Sequence, residues 1–113
     1  MRRVLNSGLR LIVLFLSPYM IDNIAASALH EMRVTLLGTG TPFPSAERFG
    51  SAILVQVADK RLLFDCGREV VIRLTQAEVN PKEIDALFLT HLHSDHVVGI
   101  PDLWLSGWFL GRT

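Results

Sequence analysis

The sequence predicts a mixed α/β (α+β) unit of four strands with flanking helices from Met32 onward. Three observations carry this. Short runs of branched residues are closed by glycine or proline, stretches of helical spacing lie between and after them, and the apolar run "ALFLT" leads straight into a histidine cluster.

The first strand is "MRVTLL", stopped by "GTGTPFP", whose glycines and prolines cannot continue it. "SAILVQVADKRLLFD" reads as a hairpin: Ile53, Val55 and Val57 alternate with less apolar neighbours, Ala58-Asp59-Lys60 supplies the turn, and Arg61 to Asp65 returns. Gly67 ends that strand. "REVVIRLTQA" places Val70, Val71 and Leu74 on one helical face and sets Glu69 four residues before Arg73, the spacing of a weak surface pair. Asn80-Pro81-Lys82-Glu83 is a helix start, with Asn80 as cap, Pro81 where no amide donor is needed, and Glu83 able to reach back. Only one turn fits before "ALFLT", whose unbroken apolar character predicts a strand buried on both faces. From about Pro101, "PDLWLSGWFLG" is helical, with leucines and aromatics on nearly every side. Trp104 and Trp108 share a face there and could line a pocket, but core packing is the expectation.

Composition narrows the function classes. The chain has 113 residues, 50% hydrophobic and 19% charged, with formal net charge zero. Such a chain is no disordered tail, and its apolar surplus needs a membrane or a partner surface. Without a basic surplus there is no electrostatic footprint for general nucleic-acid binding. Cys66 is the single cysteine and cannot form an intramolecular disulfide. Beside an apolar strand, with no basic neighbour in sequence, it is expected to be a small buried hydrophobe rather than a nucleophile.

Residues 1–28 read as a signal peptide. Arg2, Arg3 and Arg10 give a positive start, "LIVLFLSPYMI" a short apolar middle, and Ala26-Ser27-Ala28 the small-x-small pattern that a signal peptidase accepts. Pro18 and Asp22 interrupt the run before it reaches spanning length, so no stable membrane anchor is expected. The expected location is periplasmic or secreted, or cytoplasmic if translation starts at Met32.

His91, His93, Asp95 and His96 form H-x-H-x-D-H, which holds three of the four histidines. In an extended segment, positions two apart point the same way, so His91, His93 and Asp95 can converge while His96 turns toward a neighbouring point. Neutral imidazoles with a carboxylate suit zinc, and also iron or manganese. Neither the spacing of a zinc finger nor the helical H-E-x-x-H is present. Thr39, Thr41 and Ser45 lie in a glycine-rich loop that lacks the lysine and spacing of a P-loop, so it is taken as a turn near the site, with Thr39 and Thr41 as weak substrate-proximal candidates. Arg48 and Arg68 could meet an anionic substrate, although isolated arginines usually face water. For Asp65, bracing of the histidine loop and simple turn capping before Gly67 are both open.

"LLGTGTPFPSAERFG", "LLFDCG" and "THLHSDHVVGIPDLWLSGW", in that order, resemble the metallo-β-lactamase-fold hydrolases, especially the branch of ribonuclease Z and arylsulfatase-like enzymes. The resemblance runs from Met32 to the end. It implies an αβ/βα sandwich, of which residues 32–113 would form the N-terminal part, since about eighty residues can build only one sheet and its helices. It also implies a zinc held by His91 and His93, and a second held by Asp95 and His96. A water activated between them would be the nucleophile, Asp95 would orient it or take its proton, and Asp65 would brace the histidine loop.

The family completes its site with further histidines and a bridging aspartate downstream. Here the only other histidine is His30, so each metal would have two ligands where a stable site needs at least three. Trp104, Leu105, Trp108 and Phe109 would be covered by the other half of the sandwich.

The resemblance implies a zinc-dependent hydrolase of phosphodiesters or related anionic esters, present here as a truncated chain and open to homodimerisation when complete. Ribonuclease Z is the nearest defined activity, with RNA as substrate only in a cytoplasmic protein. Against it, tRNA-processing members follow Cys-Gly with Glu-Gly-Thr-Gln, whereas Gly67 is followed by Arg68-Glu69-Val70-Val71. An exported small-ester phosphodiesterase or arylsulfatase-like enzyme is the alternative, and an inactive fragment that binds metal weakly is the reading from another class.

Overall fold

A computed structural model describes residues 31–113; the leader 1–28 and His30 lie outside the described residues. Strand β1 (Met32–Gly38) pairs antiparallel with β2 (Ala52–Val57), and β2 pairs antiparallel with β3 (Lys60–Phe64). Helix α1 (Val70–Gln76) and a single 3-10 turn (Pro81–Glu83) then carry the chain across to β4 (Ala86–Phe88), which joins β3 in parallel. The sheet order is β1-β2-β3-β4. A parallel neighbour needs such a crossover, which is why a helix interrupts the strands at this point. Helix α2 (Ser94–Val97) and helix α3 (Ile100–Phe109) follow.

Local chemistry explains most of these boundaries. Val57 pairs with Lys60, so the hairpin turn is Ala58-Asp59 and Lys60 already belongs to β3. Ala58 takes φ +51 there, left-handed backbone that an alanine adopts at a cost. Asn80 caps the 3-10 turn as expected, its Oδ1 accepting from the Lys82 amide at 3.0 Å. Glu83 does not reach back to close a capping box; its carboxylate lies 3.4 Å from the Arg61 guanidinium. The expected Glu69–Arg73 pair is likewise absent. Glu69 sits outside the helix at φ +68, while Arg73 donates to the Leu37 carbonyl and to Gln76 and lies over the Phe49 ring.

The core lies on one face of the sheet. Leu37, Leu54 and Leu63 are fully buried against Val70 and Leu74 of α1 and Leu103 of α3. Burial of each such side chain contributes roughly 1.5–3 kcal/mol. The alternation at Ile53, Val55 and Val57 marks the opposite face, which α1 and α3 do not cover.

Directly paired residues share a face, and two cross-strand rows, Val34–Val55–Leu62–Ala86 and Leu36–Ile53–Phe64–Phe88, are apolar at every position. Val34, Leu36 and Phe88 are about half exposed. The strand β4 is therefore not buried on both faces. Its apolar residues meet the core on one side and this uncovered surface on the other, with Phe88 stacked on Phe64 at 5.1 Å.

Helix α3 leaves its aromatic side uncovered, as expected of residues that the other half of the sandwich would bury. Within the described residues it buries only Leu103 and Gly107, while Trp104 is 62% and Trp108 58% exposed, their rings parallel at 6.4 Å. They are not core residues of this unit. No helix among the described residues is long and apolar enough to cross a membrane.

Candidate metal centre

The site is built where β3 and β4 end side by side. Parallel pairing continues one step past β3, because the Asp65 amide donates to the Phe88 carbonyl at 2.8 Å. This sets Asp65, at φ +61, directly against the segment leaving β4. Its carboxylate is buried and accepts three kinds of donor: the Thr90 amide at 2.8 Å, the Thr90 hydroxyl at 2.8–3.0 Å, and His96 Nδ1 at 2.8 Å. Burial by itself would raise the carboxyl's pKa. The Thr90 amide, His96 and the Thr90 hydroxyl outweigh it and hold the group below its ordinary value, so it is an anion at neutral pH.

The far end of the histidine loop is tied to the same strand tip. The Cys66 amide donates to the His96 carbonyl at 2.7 Å and the Gly99 amide donates to the Cys66 carbonyl at 2.9 Å. No side chain fits between these backbones: a Cβ on Gly67 would stand 2.7 Å from the Asp95 carbonyl oxygen, and one on Gly99 would stand 2.3 Å from that of Gly67. The loop is thus clamped at Thr90 and again at His96, and its short helix α2 starts from His93.

Between the clamps the four candidate ligands fall into two pairs. His91 Nε2 and His93 Nδ1 are 3.2 Å apart; Asp95 Oδ2 and His96 Nε2 are 3.5 Å apart. The His91 and His96 rings lie 4.0 Å centre to centre, so the pairs adjoin. The expected alternation holds for His91 and His93 only. Asp95 has entered the helical turn, and its Oδ2 lies beside its neighbour His96.

A tetrahedral zinc with metal–nitrogen distances near 2.0–2.1 Å holds its donors about 3.3 Å apart, which both pairs match. Imidazole and carboxylate are the donor types zinc takes, and the Asp65–His96 bond is a contact of the kind that would aim a histidine at a metal through Nε2. The residues present therefore fit the group as far as they go. Among the described residues no three such donors converge on one point.

Other candidates fall outside the cluster. Thr39 and Thr41 are exposed, and among the described residues neither hydroxyl bonds to the histidine loop; their loop is tied to the strand tip by the backbone bonds Gly50 to Arg68 and Gly67 to Ser51. Arg48 is engaged rather than free, donating to the Thr39 carbonyl at 3.0 Å, and Arg68 is exposed. Thr90 was not singled out by sequence. It reads there as the last residue of an apolar strand, and only the parallel register shows that its hydroxyl meets Asp65.

Cys66 is fully buried in the core cluster, and burial, with a smaller contribution from Asp102, pushes its thiol up to about 12. Buried and held protonated, the thiol offers little thiolate to react. Alkylation of the native chain by iodoacetamide at pH 8.5 is expected to be at least ~100-fold slower than that of the unfolded chain. Comparable rates would contradict the burial.

The mixed sheet, with an aspartate on one strand tip bonded to the histidine loop on the next, is that of a metallo-β-lactamase fold, and similarity to known proteins sets the chain in the ribonuclease Z-like branch. More narrowly, the chain belongs to the family described as "Anti-Pycsar protein Apyc1", whose profile matches residues 32–112. Ribonuclease Z of Mycobacterium sp. (strain KMS) is 46% identical over 77 residues, covering 68% of this chain and 27% of the relative. Among solved structures, the metallo-β-lactamase fold protein YhfI from Bacillus subtilis is similar at 38% identity and TM-score 0.64, over 73% of this chain and 34% of that one. Human tRNase Z, short form, is similar at 36% identity and TM-score 0.64, over 68% and 29%. The chain spans about a quarter of the length of the curated relatives it matches.

Proposed function

We propose that residues 32–113 are the metal-holding portion of a zinc-dependent hydrolase of phosphodiesters. The observation that carries this is the pairing of donors at 3.2 and 3.5 Å, each at the spacing one zinc imposes. When bound, such a metal pair lowers the pKa of a water and offsets charge at the attacked phosphorus. The residues of this chain do the rest. His91 and His93 present two nitrogens to one side, and Asp95 and His96 present an oxygen and a nitrogen to the other. Asp95, almost fully buried, turns Oδ2 toward His96, and its Oδ1, without a hydrogen bond among the described residues, would be placed to hold a nucleophile's proton. Further donors are proposed to come from polypeptide beyond the described residues, which would also cover the apolar sheet face.

Relatives named Ribonuclease Z and tRNase Z support a nucleic-acid phosphodiester as the substrate class. A small anionic ester is the second reading, favoured by Arg68 and Glu69, both exposed just past Gly67 in place of the Glu-Gly-Thr-Gln of tRNA-processing members. Export through the leader 1–28 is a proposal that fits the second reading better than the first.

The test is a chimera in which residues 32–113 replace the matching segment of the Mycobacterium ribonuclease Z. It is expected to hydrolyse bis(p-nitrophenyl) phosphate with zinc and to lose at least ~100-fold on His93→Ala. Precursor tRNA and p-nitrophenyl sulfate, assayed alongside, separate the substrate readings. A folded chimera that binds zinc yet turns over no faster than its His93→Ala variant would defeat the proposal. The 113-residue chain by itself is expected to show negligible turnover.

A further inference from the structure

The Thr90 hydroxyl lies 2.8–3.0 Å from the Asp65 carboxylate and 3.0 Å from His91 Nδ1. A hydroxyl has one hydrogen to give and lone pairs to receive with. An ionised carboxylate can only accept, so the hydrogen goes to Asp65, and toward His91 the oxygen is left as an acceptor. His91 Nδ1 must then carry a proton, which leaves Nε2 bare. His96 Nδ1 donates to Asp65 directly, with the same result.

We propose that Thr90 is a positioning residue that extends Asp65's hold to His91, so that one buried carboxylate presets the Nδ1–H tautomer in one histidine of each donor pair. His93 is the exception: its Nδ1 faces the bare His91 Nε2 at 3.2 Å, and since that nitrogen can only accept, in the metal-free chain His93 Nδ1 is the donor. Its proton must leave Nδ1 before that nitrogen can serve as a ligand. Two histidines are thus set for metal in advance, and the third is set by the metal.

The consequence for metal uptake rests on the metallohydrolase reading; the tautomers do not. Long-range proton–nitrogen correlation on the ¹⁵N-labelled, metal-free full chain at pH 8, where ordinary imidazoles are neutral, is expected to show Nδ1–H at His91, His93 and His96. Thr90→Val is expected to release His91 into a mixture of tautomers while His96 keeps its own, and to weaken zinc binding by roughly tenfold or more. Thr90→Ser, which keeps the hydroxyl, is expected to restore both. A wild-type His91 protonated at Nε2 overturns the proposal without any variant, as does a Thr90→Val chain whose His91 pattern is unchanged. Preset tautomers without zinc uptake would instead count against the metallohydrolase reading alone.

Discussion

Asp65→Ala is expected to lower zinc affinity by roughly 10–100-fold and to destabilise the chain by about 3 kcal/mol. The two effects have separate origins. Affinity falls because His96 loses the anion that holds its ring and tautomer, and because Thr90 can no longer relay that hold to His91. Stability falls because the Thr90 amide and hydroxyl lose the acceptor on which the start of the histidine loop is hung. Asp65→Asn separates them. An amide keeps one acceptor oxygen for Thr90 but offers His96 an N–H where it needs an acceptor, so most of the stability returns and little of the affinity. Urea unfolding and competition with a chromophoric chelator read the two quantities. An Asp65→Ala chain within threefold of wild-type zinc affinity would show that the carboxylate does not aim the ligands.

Gly67→Ala and Gly99→Val are expected to be as damaging, about 3 kcal/mol or more each, although neither residue is a ligand. The new Cβ at Gly67 meets Gly50 and Ser51 backbone at 2.5 Å as well as the Asp95 carbonyl, and at Gly99 it meets the Gly67 and Cys66 carbonyls. Backbone cannot step aside as a side chain can, so the strand tip and the histidine loop must part. Gly107→Ala is the control: the three nearest neighbours of its new methyl are all at the guanidinium end of Arg112, a side-chain end that can move, and the cost is expected to stay below about 1 kcal/mol. Thermal denaturation compares the three. If Gly67→Ala melts with the wild type, the close approach of these backbones is not what holds the loop.

The strands, the helix between β3 and β4 and the clustering of the histidines were legible because each has a local signature. Alternation gives the β2–β3 hairpin, though with Lys60 placed in the turn rather than in β3, Asn80-Pro81 gives the capped turn, and H-x-H-x-D-H after an apolar run gives the cluster. Features that depend on register were not legible. Alternation at Ile53, Val55 and Val57 identifies a face but not which face the helices cover; that is decided by Val70, Leu74 and Leu103 docking on the Leu54–Leu63 side. The aromatic side of α3 was legible as a surface for the other half of the sandwich, but not that the stripe meeting this core is the narrow one through Leu103 and Gly107. The division of labour within the cluster also escaped the strand rule, since the chain turns helical at Ser94 and redirects Asp95 toward His96. Thr90 escaped altogether: its partner Asp65 is 25 residues away in sequence, brought beside it only by parallel pairing of β3 with β4.

The account depends on the histidine loop offering two adjoining donor pairs ready for metal. Zinc titration of the ¹⁵N-labelled chain, followed at the imidazole nitrogens, tests this most directly. Saturable shifts are expected at His91 Nε2, His93 Nδ1 and His96 Nε2 together, with Nδ1 of His91 and His96 still protonated at the end point. Shifts that never saturate, or that appear at Nδ1 of His91 or His96 instead, would contradict it.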